Sequence, residues 1–283
     1  MKVAVTGASG FIGRHVLNAL AERGATKIVA VSRKVFNELP KTARHVALDI
    51  ADASEADYER LGRPDVLLHL AWGGLPNYLS LHHFERELPA QYHFLRAMVA
   101  AGLPSLLVTG TCYEYGMMSG ELVEDATLPP SNPYAYAKVA LRRQLQFLKA
   151  QQPFNLTWAR LFYMWGEGQA PTSIYPLLRA AVARGDASFP MSRGEQLRDY
   201  LPVTEVAEAL AALAGRDAGT VNICSGRPVS IRSLVEGWIA ENHWSIKPEL
   251  GRYPYPNYEP LAFWGSRSKL DATLNRQAST DLS

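Results

Sequence analysis

Short apolar runs alternating with helical stretches, a glycine-spaced turn directly behind the first run, and a change of texture after residue 165 predict an α/β protein. The expected architecture is a doubly wound parallel sheet with a small, discontinuous C-terminal lobe. Lys2–Val5, Lys27–Ser32, Val46–Asp49, Val66–Leu70 and Ser105–Thr109 read as strands, because each is brief, rich in Val, Ile or Leu and barely alternating. Strands covered on both faces have that pattern. Gly10–Arg23 reads as the first helix. His83–Ala101 reads as a long helix in which Pro89 demands a kink or a late start. A further helix opens after Asn132-Pro133, where Pro133 suits a first helical position, and runs to about Gln151. Leu156–Leu161 adds a sixth strand. Beyond it Gly166, Gly168 and Pro171 break the pattern, and short helices, turns and the Pro- and aromatic-rich stretch Tyr253 to Trp264 follow. The polar stretch from Ala272 onward is expected to fray.

Composition narrows the function classes. The 283 residues are 47% hydrophobic and 20% charged, which suits one or two globular domains and excludes a disordered or collagen-like chain. A net charge of +2 without a Lys/Arg block gives no footprint for a nucleic acid, so no such partner is expected. Two cysteines, Cys112 and Cys224, are too few for a disulfide framework, and a cytoplasmic location is the expectation. Every apolar run stops short of the roughly 18 residues that span a bilayer, so no membrane association is expected. His69, His82, His83 and His93 are not at metal-ligand spacing, and no metal is expected. His82 and His83 read as surface imidazoles.

The turn Thr6-Gly7-Ala8-Ser9-Gly10-Phe11-Ile12-Gly13 lies between the first strand and the first helix. Gly7 permits the tight turn, Gly10 lets a pyrophosphate approach, and Gly13 allows close packing of helix on strand. The amides at Phe11 and Ile12 would face the phosphates at the positive helix end. Behind the second strand the chain reads Ser32-Arg33-Lys34, with no carboxylate for a ribose 2′-hydroxyl and with an Arg fork suited to a 2′-phosphate. This favours NADP(H), with NAD as the alternative. Asp49 and Ile50 end the third strand where an adenine would lie, and Leu70, Ala71 and Trp72 end the fourth beside the dinucleotide.

Tyr134 and Lys138 are four apart on a helix and therefore share a face. A phenol near an ammonium has its pKa drawn down, toward the range useful for exchanging a proton with a carbinol oxygen. Tyr136 has Ala140 at the corresponding distance and lacks that partner.

The glycine turn, the hydroxyl-bearing loop Thr109-Gly-Thr111-Cys-Tyr-Glu-Tyr-Gly116 and the Tyr134/Lys138 pair together resemble the extended short-chain dehydrogenase/reductase family. Arg160-Leu-Phe-Tyr163, Arg198-Asp-Tyr-Leu-Pro-Val203 and Asn222-Ile-Cys-Ser-Gly226 resemble later segments of the same family, and the likeness covers residues 1 to about 270 in order. It implies a Rossmann domain over residues 1–165, with a segment of about 195–225 returning to it, and a lobe over 166–283 that mainly binds substrate. It implies Tyr134 as proton donor or acceptor, Thr111 as the substrate-oxygen partner and Lys138 on the nicotinamide ribose. It further implies a nucleotide-diphosphate sugar as substrate, with Arg198 on the diphosphate and Cys112 and Tyr163 beside the sugar. A homodimer through the helices His83–Ala101 and Asn132–Gln151 belongs to the same expectation.

Dehydratases of that family carry an Asp-Glu pair behind the catalytic Thr, and here Cys112 and Tyr113 stand there, so dehydration is not expected. The reading is reduction of a dTDP- or GDP-linked 4-keto-6-deoxyhexose by NADPH. A nucleotide-sugar 4-epimerase is the alternative. A cofactor-sensing regulator is a third reading, disfavoured by the presence of both Tyr134 and Lys138. Trp72, Leu75, Met164 and Trp165 are candidates for an apolar wall around a C6 methyl.

Overall fold

The computed structural model describes residues 1–25, 27–36, 39–255 and 259–278. Seven parallel strands form the central sheet: β1 (Lys2–Thr6), β2 (Lys27–Ser32), β3 (Ala43–Ala47), β4 (Val66–His69), β5 (Ser105–Thr111), β7 (Asn155–Leu161) and β11 (Gly219–Ile223). Their order is β11-β7-β5-β4-β1-β2-β3, so the chain runs outward from β1 in both directions. Between β1 and β4 the winding reverses, and the carboxyl ends of those strands open the crevice where such sheets bind ligands.

Strand alternation divides the core in two. Val3, Val5 and Leu68 face helices α1 (Phe11–Glu22) and α6 (Val203–Leu213), in one cluster with Leu17, Leu20 and Leu210. Ala4, Leu67 and Val108 face α3 (Leu88–Ala100) and α4 (Pro133–Gln151), together with Phe94, Met98 and Leu141. Burial on both faces explains the unbroken apolar runs Val3–Val5, Ile28–Val31, Val66–Leu68 and Leu106–Val108 inside these strands.

The third strand spans Ala43–Ala47 instead of Val46–Asp49. Asp49 leaves the sheet because its carboxylate accepts the Ala51 amide and caps a short 3-10 turn, Ile50–Asp52. The long helix begins as a single wide π turn, His83–Glu87, before α3 takes over at Leu88, with Pro89 in its first turn. A proline lacks the donor that regular winding would need, so an early proline marks where the α segment starts. Ser268–Ala278 forms helix α8 through the stretch expected to fray, because Leu270 is fully buried against the first core cluster.

Beyond the sheet, β8 (Tyr163–Trp165), β10 (Leu197–Pro202) and β12 (Pro228–Ser230) form a small sheet, and β9 (Ser188–Pro190) pairs with β13 (Lys247–Glu249). Helices α5 (Ile174–Arg184) and α7 (Ile231–Glu241) close a third core around Trp238, Phe189 and Leu178. Trp165 belongs to this core, 4.8 Å from Tyr175 and 5.3 Å from Trp238 between ring centroids. Met164 packs on the first core cluster and Leu75 is exposed, so the residues suggested as an apolar wall do not converge. The strand β14 (Phe263–Gly265) lies parallel to β6 (Gly120–Leu122), which brings the far end of the chain to the loop behind β5.

Gly13 is the tightest point of the cofactor-side turn. A Cβ there would stand 2.2 Å from the Gly7 carbonyl oxygen and 2.8 Å from the Ala8 Cα, so α1 would have to lift off β1. Gly7 has φ +68°, and a Cβ there would stand 2.9 Å from the Ala71 amide nitrogen, so it too excludes a side chain. Replacement Gly13→Ala is expected to cost about 3 kcal/mol in urea unfolding at unchanged m value.

Candidate active site

The strand ends place the expected cofactor residues along one edge. Gly7, Gly10, Phe11, Ile12 and Gly13 follow β1; Ser32 ends β2 and Arg33 follows it; Asp49 and Ile50 follow β3; Leu70, Ala71 and Trp72 follow β4. Helix α1 starts behind Gly10 without a side-chain cap and without an acidic residue in its first turn. Its leading amides therefore suit an anion. The Ser32 hydroxyl donates to the Lys34 carbonyl at 2.8 Å and lies 3.0 Å from His45 Nε2, and the neighbouring Arg33 and Lys34 are both exposed at that edge. A phosphate-bearing dinucleotide fits this edge.

Thr111, Tyr134 and Lys138 meet beneath it. Thr111 ends β5 and caps the turn Cys112–Tyr115, with its hydroxyl accepting the Tyr113 amide at 3.3 Å. Asn132 caps α4 by accepting the Ala135 amide at 2.9 Å, and Pro133 opens the helix, so Tyr134 stands at its very start. Tyr134 is 7% exposed, with the Thr111 hydroxyl near enough to draw its pKa downward. Around it stand His83, Tyr78 and Trp72, with ring centroids at 5.2, 5.5 and 5.8 Å. One turn along, the Lys138 ammonium donates to the Thr109 carbonyl at 2.9 Å and lies 3.9 Å from the centre of the Trp72 ring.

Electrostatics differ from the sequence expectation at Tyr134. Burial pushes the phenol up from its ordinary value, the nearby Tyr78, Glu114 and Cys112 add to this, and the Thr111 hydrogen bond opposes it. The phenol is therefore a proton donor near neutral pH. Burial pulls Lys138 down to about 7, against the pull of Glu114 and Glu87. Burial likewise keeps Cys112 a thiol.

Two buried networks support these groups. Glu114 accepts the Thr111 amide at 3.0 Å, the Trp158 indole at 2.8 Å and the Arg160 Nε at 2.9 Å, with no solvent exposure. Arg160 also donates to the Tyr115 hydroxyl at 2.9 Å, and Tyr115 donates to Asn222 at 2.8 Å. On the other side, Glu87 accepts the Gly73 amide and the Gln91 amide group, each at 2.8 Å. With the Gln91 amide group donating to Glu87, its oxygen accepts from His69 Nε2 at 2.5 Å, leaving His69 Nδ1 to accept from the Thr6 hydroxyl at 2.9 Å. Burial lowers His69 to about 3, so this ring stays neutral.

His83 is not a surface imidazole: it is fully buried beside Tyr134, accepting from the Trp72 indole at 3.1 Å and donating to the Asn77 carbonyl at 2.8 Å. His82 is the partly exposed one of the pair and contacts Glu87 at 3.2 Å.

Tyr163 and Arg198 meet at a carboxylate that sequence reasoning missed. Glu259 accepts from Arg198 Nη2 at 2.8 Å and from the Tyr113 hydroxyl at 2.7 Å, and it also bonds the Tyr163 hydroxyl. Arg198 is 3% exposed, with further bonds to the carbonyls of Leu197 at 2.9 Å and Leu261 at 3.1 Å, and its guanidinium lies 4.5 Å from the Phe263 ring. The group expected on a diphosphate thus already holds an anion. No local pattern marks Glu259, which lies 61 residues from Arg198 along the chain. Glu114 does carry a signal: Thr111-x-x-Glu114 is a capping box.

The family model of the NAD dependent epimerase/dehydratase family matches residues 3–224. The chain belongs to that family. It is an NAD(P)-dependent oxidoreductase of the nucleotide-sugar-modifying class. The dTDP-6-deoxy-L-talose 4-dehydrogenase (NAD(+)) of Aggregatibacter actinomycetemcomitans is 29% identical over 272 residues, covering 94% of this chain and all (100%) of the relative. The dTDP-6-deoxy-L-talose 4-dehydrogenase (NAD(P)(+)) of Kitasatospora kifunensis is 28% identical, covering 98% of this chain and 89% of its own. The solved structure of MoeE5 in complex with UDP-glucuronic acid and NAD superposes with a TM-score of 0.81 at 28% identity, covering 97% of this chain and 93% of that one. No helix among the described residues is long and apolar enough to cross a membrane.

Removing one partner of a buried ion pair leaves an uncompensated charge, which costs about 3–5 kcal/mol. Glu114→Ala is expected to lose that much in denaturant unfolding, and to lose turnover as well because the Thr111 amide loses its acceptor.

Proposed function

We propose that this enzyme reduces C4 of a dTDP-linked 4-keto-6-deoxyhexose with NADP(H). The observation that carries the reading is the buried Tyr134 phenol, held protonated with Thr111 as partner and Lys138 one turn behind. Two relatives similar over nearly the whole chain are named 4-dehydrogenases of dTDP-6-deoxy-L-talose, and reduction of the corresponding 4-ketone is that reaction reversed. Cys112 and Tyr113, where an acid-base pair would serve water elimination, support simple redox at one carbon.

The nicotinamide, when bound, supplies the hydride. Thr111 and Tyr134 both hydrogen-bond the C4 oxygen, and Tyr134 delivers the proton that makes the hydroxyl. Lys138 holds the ribose and, while charged, favours the phenolate left behind. Gly7, Gly10, Phe11, Ile12 and Gly13 seat the pyrophosphate, Asp49 and Ile50 the adenine, and Leu70, Ala71 and Trp72 flank the dinucleotide. Ser32 shapes the ribose end and the exposed Arg33 takes the 2′-phosphate. Cys112 and Tyr163 line the sugar, and Arg198 is the group placed for the diphosphate. In this reading residues 1–165 with the returning segment 195–225 hold the cofactor and the rest mainly the sugar nucleotide. The exposed Tyr136 and Phe147 on α4 support a homodimer through α3 and α4.

NADPH oxidation with dTDP-, GDP-, CDP- and UDP-linked 4-keto-6-deoxy sugars tests the reading. Consumption with the dTDP sugar supports it; no consumption, with a cofactor that copurifies and a sugar inverted at C4, makes the enzyme a 4-epimerase. Tyr134→Phe should lower kcat at least a hundredfold with NADPH affinity intact. Arg33→Ala should weaken NADPH about tenfold and leave NADH unchanged, as measured by fluorescence titration.

The pH profile follows from the shifts above. Reduction needs Tyr134 protonated and Lys138 charged. Tyr134 keeps its proton throughout the neutral range, so kcat/KM should be flat at low pH and fall as pH rises through about 7, where Lys138 loses its proton.

A further inference from the structure

Lys138 is a buried cation, 2% exposed, whose nearest carboxylates are engaged elsewhere. Glu114 bonds Arg160, Trp158 and the Thr111 amide; Glu87 bonds Gly73, Gln91 and His82. Both act on the ammonium only through space, and the other ionisable groups facing it, Tyr134 and His69, carry no negative charge near neutral pH. The ammonium must place three N–H bonds. Thr109 takes one through its carbonyl, and the Trp72 indole lies over the ammonium at 3.9 Å from ring centre to Nζ. A cation over an indole face in a desolvated site is strongly attracted to it.

The indole is itself fixed. Its Nε1–H donates to His83 Nδ1 at 3.1 Å, which obliges His83 to carry its proton on Nε2, and that N–H donates to the Asn77 carbonyl at 2.8 Å. His83 is fully buried with both nitrogens used, so ring, tautomer and indole are locked in one arrangement. The chain Asn77, His83, Trp72, Lys138 runs from the loop behind β4 to the catalytic helix and packs on Tyr134 at each aromatic step.

We propose that Trp72 is a positioning residue for Lys138, its π face serving as the ammonium's counter-group and the His83 bond to Asn77 holding that face in place. The proposal rests on the role given to Lys138 above, and it concerns the unliganded protein, so it can be read without substrate. Trp72 thus opposes the loss of the Lys138 proton that burial favours, and it does so without adding a carboxylate that would compete for the Tyr134 proton.

The test uses protein labelled with ¹⁵N and ¹³C at lysine and histidine and followed by NMR across pH 5–10, with Lys138 assigned by the loss of its signal in Lys138→Met. In wild type, the Lys138 ε-methylene protons should resonate upfield of those of exposed lysines because of the indole ring current, and His83 should show the Nε2–H tautomer. Trp72→Leu should lower the Lys138 titration midpoint by about one pH unit, and Trp72→Phe should restore at least half of the shift. An ε-methylene signal at the exposed-lysine position, or a midpoint that moves equally in the Leu and Phe variants, overturns the proposal. The wild-type spectrum decides even where Trp72→Leu fails to fold. A shifted midpoint in a protein that reduces none of the sugars leaves this inference standing and removes the reductase reading.

Discussion

Glu114 is the constraint on which the site depends. Its two oxygens gather the Thr111 amide, the Trp158 indole and the Arg160 guanidinium, and all of this happens in the absence of water. Charge-assisted bonds in such surroundings are strong when complete and costly when broken. The turn after β5 is therefore stiff where it presents Thr111, and Arg160 carries that stiffness outward through Tyr115 to Asn222 on β11. Gly110 shows how close the fit is: a Cβ there would stand 2.2 Å from the Trp158 nitrogen and 2.3 Å from a Glu114 oxygen.

The same frame sets the protonation of both the phenol and the ammonium. Aromatic rings around Tyr134 remove water and hold the proton on oxygen, whereas the neighbouring lysine, equally buried, loses affinity for its own proton. One environment thus moves an acid and a base in opposite directions. Burial and hydrogen bonding, more than nearby charge, set the chemistry of the pocket.

The sheet and the meeting of Thr111, Tyr134 and Lys138 are legible in the sequence because they depend on local pattern. The Gly7, Gly10, Gly13 spacing needs only a tight turn, and the Tyr134 to Lys138 spacing needs only a helix, so both survive as text in the sequence. What depends on distant partners did not read out. His83 looked like a surface residue because its two partners, Trp72 and the Asn77 carbonyl, meet it only after the loop folds back. Glu259 had no pattern at all, and the fall in Tyr134 pKa expected from Lys138 was reversed by desolvation, which no spacing encodes. The third strand shifted because Asp49 preferred its own turn to the sheet, a competition between side chain and backbone that apolar patterning does not show.

The pairing of Arg198 with Glu259 has a consequence for recognition. In the proposed reading, a diphosphate reaching Arg198 would meet a guanidinium whose countercharge is already in place, so binding there would exchange one anion for another. Little new electrostatic energy is released by such an exchange. In that reading, discrimination would depend on how well the released carboxylate and the Tyr113 and Tyr163 hydroxyls are rehoused, for instance against hydroxyls of the ligand, and a bare phosphate that offers no such replacement would be disfavoured.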